Sequence, residues 1–321
     1  MAVYTEVSFD DAQALMQRLG LGALQALRPI PSGIENTNYF ATTTSGEWVL
    51  TVFERLQAQQ LPFYLELMRH LARHGLPVPE PRADAAGTLV HALSGKPAAV
   101  VDRLPGAPLD APDVHHCHEL GGVLARMHRA VADFPLDQPN LRGPDWRRTA
   151  AEQALAWVEG DTAALLADES AFQQALAGSA ALAALPTGAV HADLFRDNAL
   201  FDGLPGRERL SGVFDFYFAG TDHLAYDLAV VLNDWCVDLD SGALVTERAE
   251  ALLAGYQAER PLEGGEQRLL PALRRAAALR FWLSRLDDWH RPRDASLLTP
   301  KDPTHFERVL RHARAEPWHP A

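Results

Sequence analysis

The spacing of apolar residues changes along the chain and separates a first part that contains strands from a longer helical part. In SFDDAQALMQRLGLG, apolar residues recur at helical spacing after a polar start at Ser8, which predicts a capped helix. In NYFATTTSGEWVLTVFE, β-branched and aromatic runs lie on both sides of Ser45-Gly46, which predicts a β-hairpin. Apolar residues return to intervals of three and four in LPFYLELMRHLARHG, which predicts a second helix ending at Gly75.

Two more short strands are predicted in GTLVHALSGKPAAVVDRLPG, after which the pattern becomes helical. The helical stretches are 113–131, 145–177, 224–238, 244–258, 263–289 and 302–315, with strand-like pieces around 189–216. We therefore expect an α+β fold. A small N-terminal lobe with a sheet and helices should cover residues 1–103, and a larger, mainly helical lobe should cover 104–321.

Composition and charge exclude several classes of protein. The chain has 321 residues, 47% of them apolar, and a formal net charge of −13, so a nucleic-acid or anionic-membrane surface is not expected. Two cysteines are too few for a disulfide framework, and the N-terminal residues lack a signal-peptide pattern, so we expect a cytoplasmic protein. No apolar run is long enough to cross a bilayer. The oligomeric state does not follow from the sequence.

The densest group of polar side chains lies in HADLFRDNALF at residues 191–201. Asp193 and Asn198 follow His191 in the pattern H-x-D-x-x-x-x-N, and Asp215 begins DFY in a later apolar strand. Phosphoryl transfer of the protein-kinase type uses an aspartate that receives the acceptor hydroxyl, and an asparagine and a second aspartate that hold divalent cations. Asp193 takes the first role in this interpretation, and Asn198 and Asp215 take the second.

The sequence between Asn198 and Asp215 predicts how these two metal-ligand candidates come close together. NALFDGLPGRERLSGVFDF has two strands joined by a Pro/Gly turn, which would bring Asn198 and Asp215 to the same end of a hairpin. Arg196 is a candidate catalytic residue that would face the transferring phosphoryl group, and a solvated loop cation is an equal alternative. Asp227 begins an apolar helix, and we expect it to support the catalytic loop through hydrogen bonds.

The chain resembles the aminoglycoside phosphotransferase and choline kinase-like superfamily, and within it the homoserine kinase group. HADLFRDN and the Asp-headed DFY resemble the superfamily, whereas ENTNYF, VLTVFE and LAVVLNDWC resemble the narrower group. The resemblance covers nearly the whole chain. It implies a bilobal protein kinase-like fold, ATP as co-substrate, Mg²⁺ as cofactor, and L-homoserine as the small-molecule substrate whose hydroxyl is phosphorylated.

The sequence gives weaker signals for the residues that would bind the nucleotide. In kinase-like folds a loop covers the phosphates, and PSGIENTN lies where that loop is expected. Its small and hydrogen-bonding residues could donate to phosphate oxygens, although an ordinary polar β-turn explains the stretch as well. The candidates are Ser32, Gly33, Asn36, Thr37 and Asn38.

Two further features bear on the nucleotide. Thr51 stands in EWVLTVFE where the kinase pattern has a lysine for the α- and β-phosphates, so other groups must supply that charge. The backbone from Asp102 to Leu104, in the link between the lobes, is a candidate for pairing with the adenine edge.

The implied acceptor, L-homoserine, is a zwitterion, so its pocket needs a cation to bind the carboxylate. Arg280 and Arg285 on a late helix, with Trp235 on an earlier one, are candidates to line the pocket. The alternatives are a core position for the tryptophan and solvent-facing positions for the arginines.

Two other functions compete with homoserine phosphorylation. The same fold could serve a choline-type or aminoglycoside-type acceptor. The loss of the strand lysine at Thr51 raises the possibility of a catalytically silent nucleotide-binding protein. No activation loop or A-P-E segment follows Asp215, which argues against a protein kinase.

Overall fold

The computed structural model describes residues 5–30, 36–291 and 301–320. The chain divides into two compact units with a boundary between Pro105 and Gly106. The predicted α+β class is confirmed, because one unit contains a small antiparallel sheet with helices and the other is mainly helical. None of the described helices combines the length and the apolar character that a bilayer-spanning helix requires.

The first unit is built on five described strands in the order β1-β2-β3-β5-β4, with antiparallel neighbours. The strands are β1 (Leu24–Pro29), β2 (Asn36–Thr43), β3 (Gly46–Phe53), β4 (His91–Leu93) and β5 (Lys96–Asp102). The helices are α1 (Phe9–Arg18) and α2 (Pro62–Arg73). The predicted hairpin is confirmed, since Thr43 pairs with Gly46 next to the turn. The first strand of this sheet is an addition that the sequence pattern did not predict.

Local sequence explains the main elements of this unit. The Ser8 side chain accepts a hydrogen bond of 3.1 Å from the Asp11 N–H and caps the first helix, as the polar start predicted. Burial alternates along β2, so one face of the sheet packs on α1. Leu15 and Leu50 lie in that core and are almost fully buried.

The second unit holds most of the helices. They are α3 (Val114–Ala130), α4 (Pro144–Ala154), α5 (Gly160–Ala177), α6 (Ala180–Ala183), α7 (Leu224–Trp235), α8 (Thr246–Glu259), α9 (Gly264–His290) and α10 (Thr304–Ala315). Two short antiparallel pairs interrupt them, β6 (Thr187–Val190) with β9 (Gly220–His223) and β7 (Ala199–Asp202) with β8 (Arg209–Val213). The helical stretch 145–177 contains two helices instead of one, and Gly160 begins the second with φ +57°.

The close packing of α3 on α8 depends on two glycines. A Cβ on Gly121 would lie 2.0 Å from the Leu252 carbonyl oxygen, and one on Gly255 would lie 2.0 Å from the His118 carbonyl oxygen. Because real Cβ atoms do not approach backbone so closely, any side chain here must push the two helices apart. The neighbouring Gly122 is different, since a Cβ there meets nothing closer than 3.7 Å.

We expect Gly121→Ala to lower the free energy of unfolding by about 1–3 kcal/mol, because the added methyl overpacks a backbone contact. The matched control is Gly122→Ala, which should be neutral or stabilising by up to about 1 kcal/mol through helix propensity. Urea unfolding of the two variants measures the difference. Equal stability of the two would show that the helix contact is not as tight as described.

Candidate active site

The residues predicted for phosphoryl transfer meet at one end of a short hairpin in the second unit. Ala199 pairs with Val213 in the β7–β8 ladder, and the Phe214 N–H donates a hydrogen bond of 3.1 Å to the Asn198 carbonyl. Asn198 therefore lies just before one strand and Asp215 just after the other. The predicted hairpin geometry is confirmed. Asp193 joins them, because the Asn198 side-chain amide donates a hydrogen bond of 2.8 Å to the Asp193 carbonyl.

Two non-glycine residues of this site have left-handed backbone conformations. Ala192 has φ +62° and Asp215 has φ +65°, and each such residue costs about 1–3 kcal/mol unless its surroundings hold it. The Ala192 N–H is held by the Asp227 carboxylate at 2.8 Å. The strained backbone before Asp193 is therefore fixed by a buried anion.

Helix α7 supports the catalytic loop at both of its ends. The carboxylate of Asp227, in its first turn, accepts the backbone N–H of His191 at 2.9 Å as well as that of Ala192. In its last turn, Asp234 accepts the Arg196 N–H at 2.8 Å, and the Trp235 indole N–H donates to the Leu194 carbonyl at 3.1 Å. The prediction that Asp227 supports the loop is confirmed.

These contacts correct two of the predicted roles. Trp235 is fully buried and its indole holds the loop, so it belongs to the core and does not line an acceptor pocket. The Arg196 guanidinium donates to the Asp234 carboxylate at 3.2 Å, to the Asp234 carbonyl and to the Asp110 carbonyl at 3.2 Å. It is neither a solvated cation nor directed to a phosphoryl group. Both residues position the loop.

Behind Asp227 a buried chain of hydrogen bonds continues across α3 and α8. His128 Nε2 lies 3.2 Å from Asp227 Oδ2, and His128 Nδ1 lies 2.7 Å from the Tyr256 hydroxyl. Arg260 donates to that hydroxyl at 3.0 Å and to Glu266 at 3.0 Å. Burial by itself would raise the pKa of Asp227, but the His128 hydrogen bond and charge and the His191 contacts hold it below its ordinary value.

The directions of these bonds follow from the charges. An ionised Asp227 only accepts, so Nε2 of His128 carries a proton. The bond between Nδ1 and Tyr256 runs from the Tyr256 O–H when the ring is neutral, and toward the Tyr256 oxygen when the ring is charged. The Tyr256 oxygen in turn accepts from Arg260. The sequence analysis missed His128 and Tyr256, because a lone histidine or tyrosine at helical spacing carries no signal of its partner.

His191 connects the catalytic loop to the strand that precedes Asp215. Its Nε2 donates to the Phe214 carbonyl at 3.0 Å, and its Nδ1 accepts the Asp193 N–H at 3.3 Å. Both bonds require the neutral ring with a proton on Nε2. Burial lowers the pKa of His191 and favours that neutral form.

Asp193 is the carboxylate that the sequence pattern predicts to receive the proton of the acceptor hydroxyl. Burial raises its pKa to about 7, the Arg280 charge opposes that rise, and Asp215 adds to it. Arg280 Nη1 lies 3.4 Å from Asp193 Oδ1, and the arginine is 4% exposed. Its guanidinium also lies over the rings of Phe218 and Phe281 at 5.1 and 3.7 Å. Arg280 is therefore a buried cation beside the catalytic carboxylate, not a solvent-facing one.

Arg285 lies one turn further along α9 and is also largely enclosed. Its guanidinium stacks on the Phe306 ring at 4.3 Å and donates to the Asp302 carbonyl at 3.2 Å. Burial lowers the pKa of Arg285 to about 10, and carboxylates that include Asp234 and Asp193 counteract this effect.

The chemistry of the donors suits a hard divalent cation. Asn198 donates its amide N–H to the Asp193 carbonyl at 2.8 Å, which leaves the amide oxygen to act as a ligand. The Asp215 carboxylate is the second oxygen donor, at the same end of the hairpin. Oxygen ligands of this kind fit Mg²⁺ or Ca²⁺ and not a thiolate-seeking metal.

The residues predicted for the nucleotide lie in the first unit. Asn38 and Thr51 are paired across β2 and β3, and the Thr51 hydroxyl donates to the Asn38 amide oxygen at 2.7 Å. Asn36 begins β2, whereas Ser32 and Gly33 lie outside the described residues. The Asp102 carboxylate accepts from the Arg82 guanidinium, with Nε at 2.7 Å. Leu104 follows β5 in this unit.

An ion pair that the sequence did not predict lies at the Asn36 end of this sheet. Lys96, the first residue of β5, pairs with Glu54, and the Thr37 hydroxyl donates to Glu54 at 2.6 Å. Burial opposes the effect, but Lys96 and the threonine hydroxyls hold the pKa of Glu54 below its ordinary value. A lysine thus lies near the end of β3, but it belongs to β5, where no sequence motif indicates it.

Comparison with known proteins identifies the family. Residues 26–264 match the model of the phosphotransferase enzyme family. The chain is 53% identical over 318 residues to the homoserine kinase of Polaromonas naphthalenivorans, covering 99% of each chain. It is 54% identical over 325 residues to the homoserine kinase of Burkholderia thailandensis, covering 99% of this chain and 98% of the relative. The chain therefore belongs to the phosphotransferase enzyme family, and the predicted resemblance is confirmed.

Solved structures support the fold class at lower identity. An amicoumacin kinase in complex with AMP-PNP, Ca²⁺ and Ami is similar with a TM-score of 0.71 at 18% identity, covering 96% of this chain and 94% of that one. A spectinomycin phosphotransferase in complex with ADP and spectinomycin is similar with a TM-score of 0.65 at 14% identity, covering 97% and 99%. At these identities the likeness concerns the fold alone.

We expect kcat/KM to rise with pH and to level off above a pKa of about 7, because Asp193 must be ionised to accept a proton. Arg280→Met removes the charge that lowers this pKa, so the rising limb should move to higher pH. A pH profile of kcat/KM for the two proteins measures the shift. A limb that stays at the same pH in the variant contradicts the assigned role of Arg280.

Tyr256→Phe should lower the free energy of unfolding by about 1–3 kcal/mol, because His128 Nδ1 and Arg260 each lose a buried partner. With that hydroxyl gone, the Nδ1 signal of His128 should also move. Urea unfolding and ¹⁵N NMR of labelled histidine provide the two measurements. An unchanged His128 spectrum would contradict the hydrogen bond between His128 and Tyr256.

Proposed function

We propose that this protein is a homoserine kinase, which transfers the γ-phosphoryl group of ATP to the hydroxyl of L-homoserine and releases O-phospho-L-homoserine for threonine biosynthesis. The observation that carries the proposal is the identity of 53% and 54% to two homoserine kinases over nearly the full length of the chain. The half-buried Asp193 beside Asn198 and Asp215 supports it with the groups that this chemistry needs.

In this proposal Asp193 accepts the proton of the homoserine hydroxyl as the oxygen attacks the γ-phosphorus. The bond from that phosphorus to the bridging oxygen of ATP breaks, and ADP leaves with the electron pair. A carboxylate with a pKa of about 7 is a stronger base than an ordinary aspartate, and about half of it is ionised at neutral pH. Arg280 keeps it ionised, and α7 keeps it in place.

Asn198 and Asp215 are the proposed ligands of Mg²⁺. Bound there, the cation would neutralise charge on the phosphate oxygens. Asp215 has a left-handed backbone conformation and lies at the end of the hairpin where Asn198 also lies. The residues of this chain thus supply oxygen donors and a fixed geometry.

The first lobe, residues 1–103, is proposed to bind the nucleotide, and the second, residues 104–321, to carry catalysis and the acceptor. The proposed nucleotide contacts are Ser32, Gly33, Asn36, Thr37, Asn38, Thr51, Asp102 and Leu104. The Thr51 hydroxyl donates to the Asn38 amide oxygen. We therefore propose that Thr51 orients this amide and does not take over the phosphate contact of the lysine in the kinase pattern. A cytoplasmic location fits the two cysteines, which are free thiols.

A kinase of a cationic amino alcohol is the second candidate on this fold. A choline-type or aminoglycoside-type acceptor needs carboxylates or aromatic faces around its positive charge. The Asp193 carboxylate is instead accompanied by the buried guanidinium of Arg280, with Arg285 one turn away on α9. One buried and one half-buried cation favour an acceptor that carries an anionic group.

The acceptor is tested by steady-state release of ADP with L-homoserine, L-serine, choline, ethanolamine and kanamycin. We expect L-homoserine to give the highest kcat/KM, and Asp193→Asn to lower its kcat by about 10³-fold or more while ATP binding persists. Preference for choline or kanamycin would instead establish the second candidate. Absence of turnover with every acceptor would indicate a silent nucleotide-binding protein.

Removing one proposed cation ligand should weaken the response to Mg²⁺. We expect Asn198→Ala and Asp215→Ala to raise the Mg²⁺ concentration for half-maximal activity by about 10-fold or more, since each loses an oxygen donor. The matched control is Asp202→Ala, an exposed carboxylate at the far end of β7. A Mg²⁺ titration at saturating ATP measures this. Equal Mg²⁺ concentrations for half-maximal activity in all three variants would contradict the proposal that Asn198 and Asp215 bind the cation.

A further inference from the structure

The last helix of the chain, α10, packs against the catalytic loop. The ring of Phe195, in that loop, has its centre 5.9 Å from that of Phe306 on α10, and both rings are buried. The Arg285 guanidinium lies over the Phe306 ring and donates to the Asp302 carbonyl at 3.2 Å. The Asp302 carboxylate accepts the Thr304 N–H at 2.9 Å. These contacts hold the start of α10 beside the catalytic loop.

Lys301, the residue before Asp302, contacts the catalytic loop directly. Its ammonium nitrogen lies 3.1 Å from Asp197 Oδ2. Asp197 directly precedes Asn198, a proposed ligand of Mg²⁺, whose side-chain amide donates to the Asp193 carbonyl at 2.8 Å. The Lys301 ammonium is therefore in contact with the segment that connects the proposed proton acceptor to a proposed cation ligand.

The ion pair of Lys301 with Asp197 differs from those of two arginines near the loop. Arg196 is held by the Asp234 carboxylate, and Arg280 is 4% exposed and lies over two aromatic rings. The side chains of Lys301 and Asp197 are instead 52% and 57% exposed. An ion pair this exposed contributes little to stability, so an anionic ligand can take the place of Asp197 at small cost.

The residue type at position 301 adds to this argument. The chain has 29 basic residues, and lysines are found only at positions 96 and 301. A guanidinium is a planar fork that suits a fixed carboxylate, whereas a lysine ammonium is a compact charge on a flexible stem. A cation that has to leave a carboxylate and follow a phosphoryl group needs the second property.

We propose that Lys301 is a catalytic residue that leaves Asp197 when ATP binds and donates to the oxygens of the γ-phosphoryl group. It keeps its proton throughout and stabilises the negative charge of the group being transferred. In the proposed function, on which this inference rests, the γ-phosphorus lies between the acceptor oxygen at Asp193 and the cation held by Asn198. The γ-phosphoryl oxygens are then the substrate anion nearest to Lys301. This contact would supply part of the positive charge that the threonine at position 51 lacks.

The first test measures binding and needs no turnover. AMP-PNP, which carries a γ-phosphate, and ADP, which does not, are titrated by isothermal calorimetry in the presence of Mg²⁺. We expect Lys301→Met to weaken AMP-PNP by about 5- to 20-fold and to leave ADP nearly unchanged, since only the γ-phosphate loses a charge-assisted hydrogen bond. The matched control is Asp197→Asn, which releases the lysine and should bind AMP-PNP as tightly as the parent protein or more tightly. Equal losses in the two variants would show that the pair only supports the loop, and the inference would be wrong.

Steady-state phosphorylation then measures the effect on the transferred group. With the acceptor of highest kcat/KM, Lys301→Met should lower kcat by about 10- to 100-fold, and Lys301→Arg, which keeps the charge, should recover part of it. Thermal unfolding should give the same Tm for Lys301→Met and the parent protein, because the pair is exposed. A loss confined to KM for an acceptor with a carboxylate, with unchanged AMP-PNP affinity, would show that Lys301 binds the acceptor and would overturn the inference.

The outcomes separate this inference from the proposed function. If the parent protein phosphorylates L-homoserine and Lys301→Met keeps its kcat and its AMP-PNP affinity, the inference is wrong and the proposed function stands. If L-homoserine is not an acceptor, the proposed function fails, and the comparison of AMP-PNP with ADP still decides whether Lys301 contacts the γ-phosphate. A selective loss of AMP-PNP affinity in the folded Lys301→Met protein supports the inference.

Discussion

The candidate site depends on one buried anion. The carboxylate of Asp227, fully enclosed in the first turn of α7, binds the backbone N–H groups of His191 and Ala192 and the ring of His128. These bonds hold the left-handed residue that precedes Asp193, a conformation that is costly for alanine on its own. Without this anion nothing would offset the cost of the left-handed backbone at Ala192, and the loop would not hold Asp193 in the same position.

The same anion joins the loop to the packing of the helices. His128 is on α3 and Tyr256 is on α8, and their hydrogen bond exists because Gly121 and Gly255 let the two helices approach backbone to backbone. Arg260 then completes the chain at the surface side of α8. Helix packing and this series of hydrogen bonds therefore set the backbone position of the loop that contains Asp193.

Burial also sets the chemistry of the acceptor side. It raises the pKa of Asp193 toward neutrality, and the Arg280 guanidinium keeps the rise within a useful range.

The sequence alone determined the division into a part with a sheet and a helical part, the hairpin that joins Asn198 to Asp215, and the presence of Asp193 in the loop before it, because these are local patterns of side-chain type and spacing. Only the tertiary structure decided that Arg196 and Trp235 support the loop, that His128 reaches Asp227, and that Lys301 lies beside Asp197. Those roles depend on residues that are distant along the chain. A side chain's type says what it can bind, but its partners are set by how the helices pack.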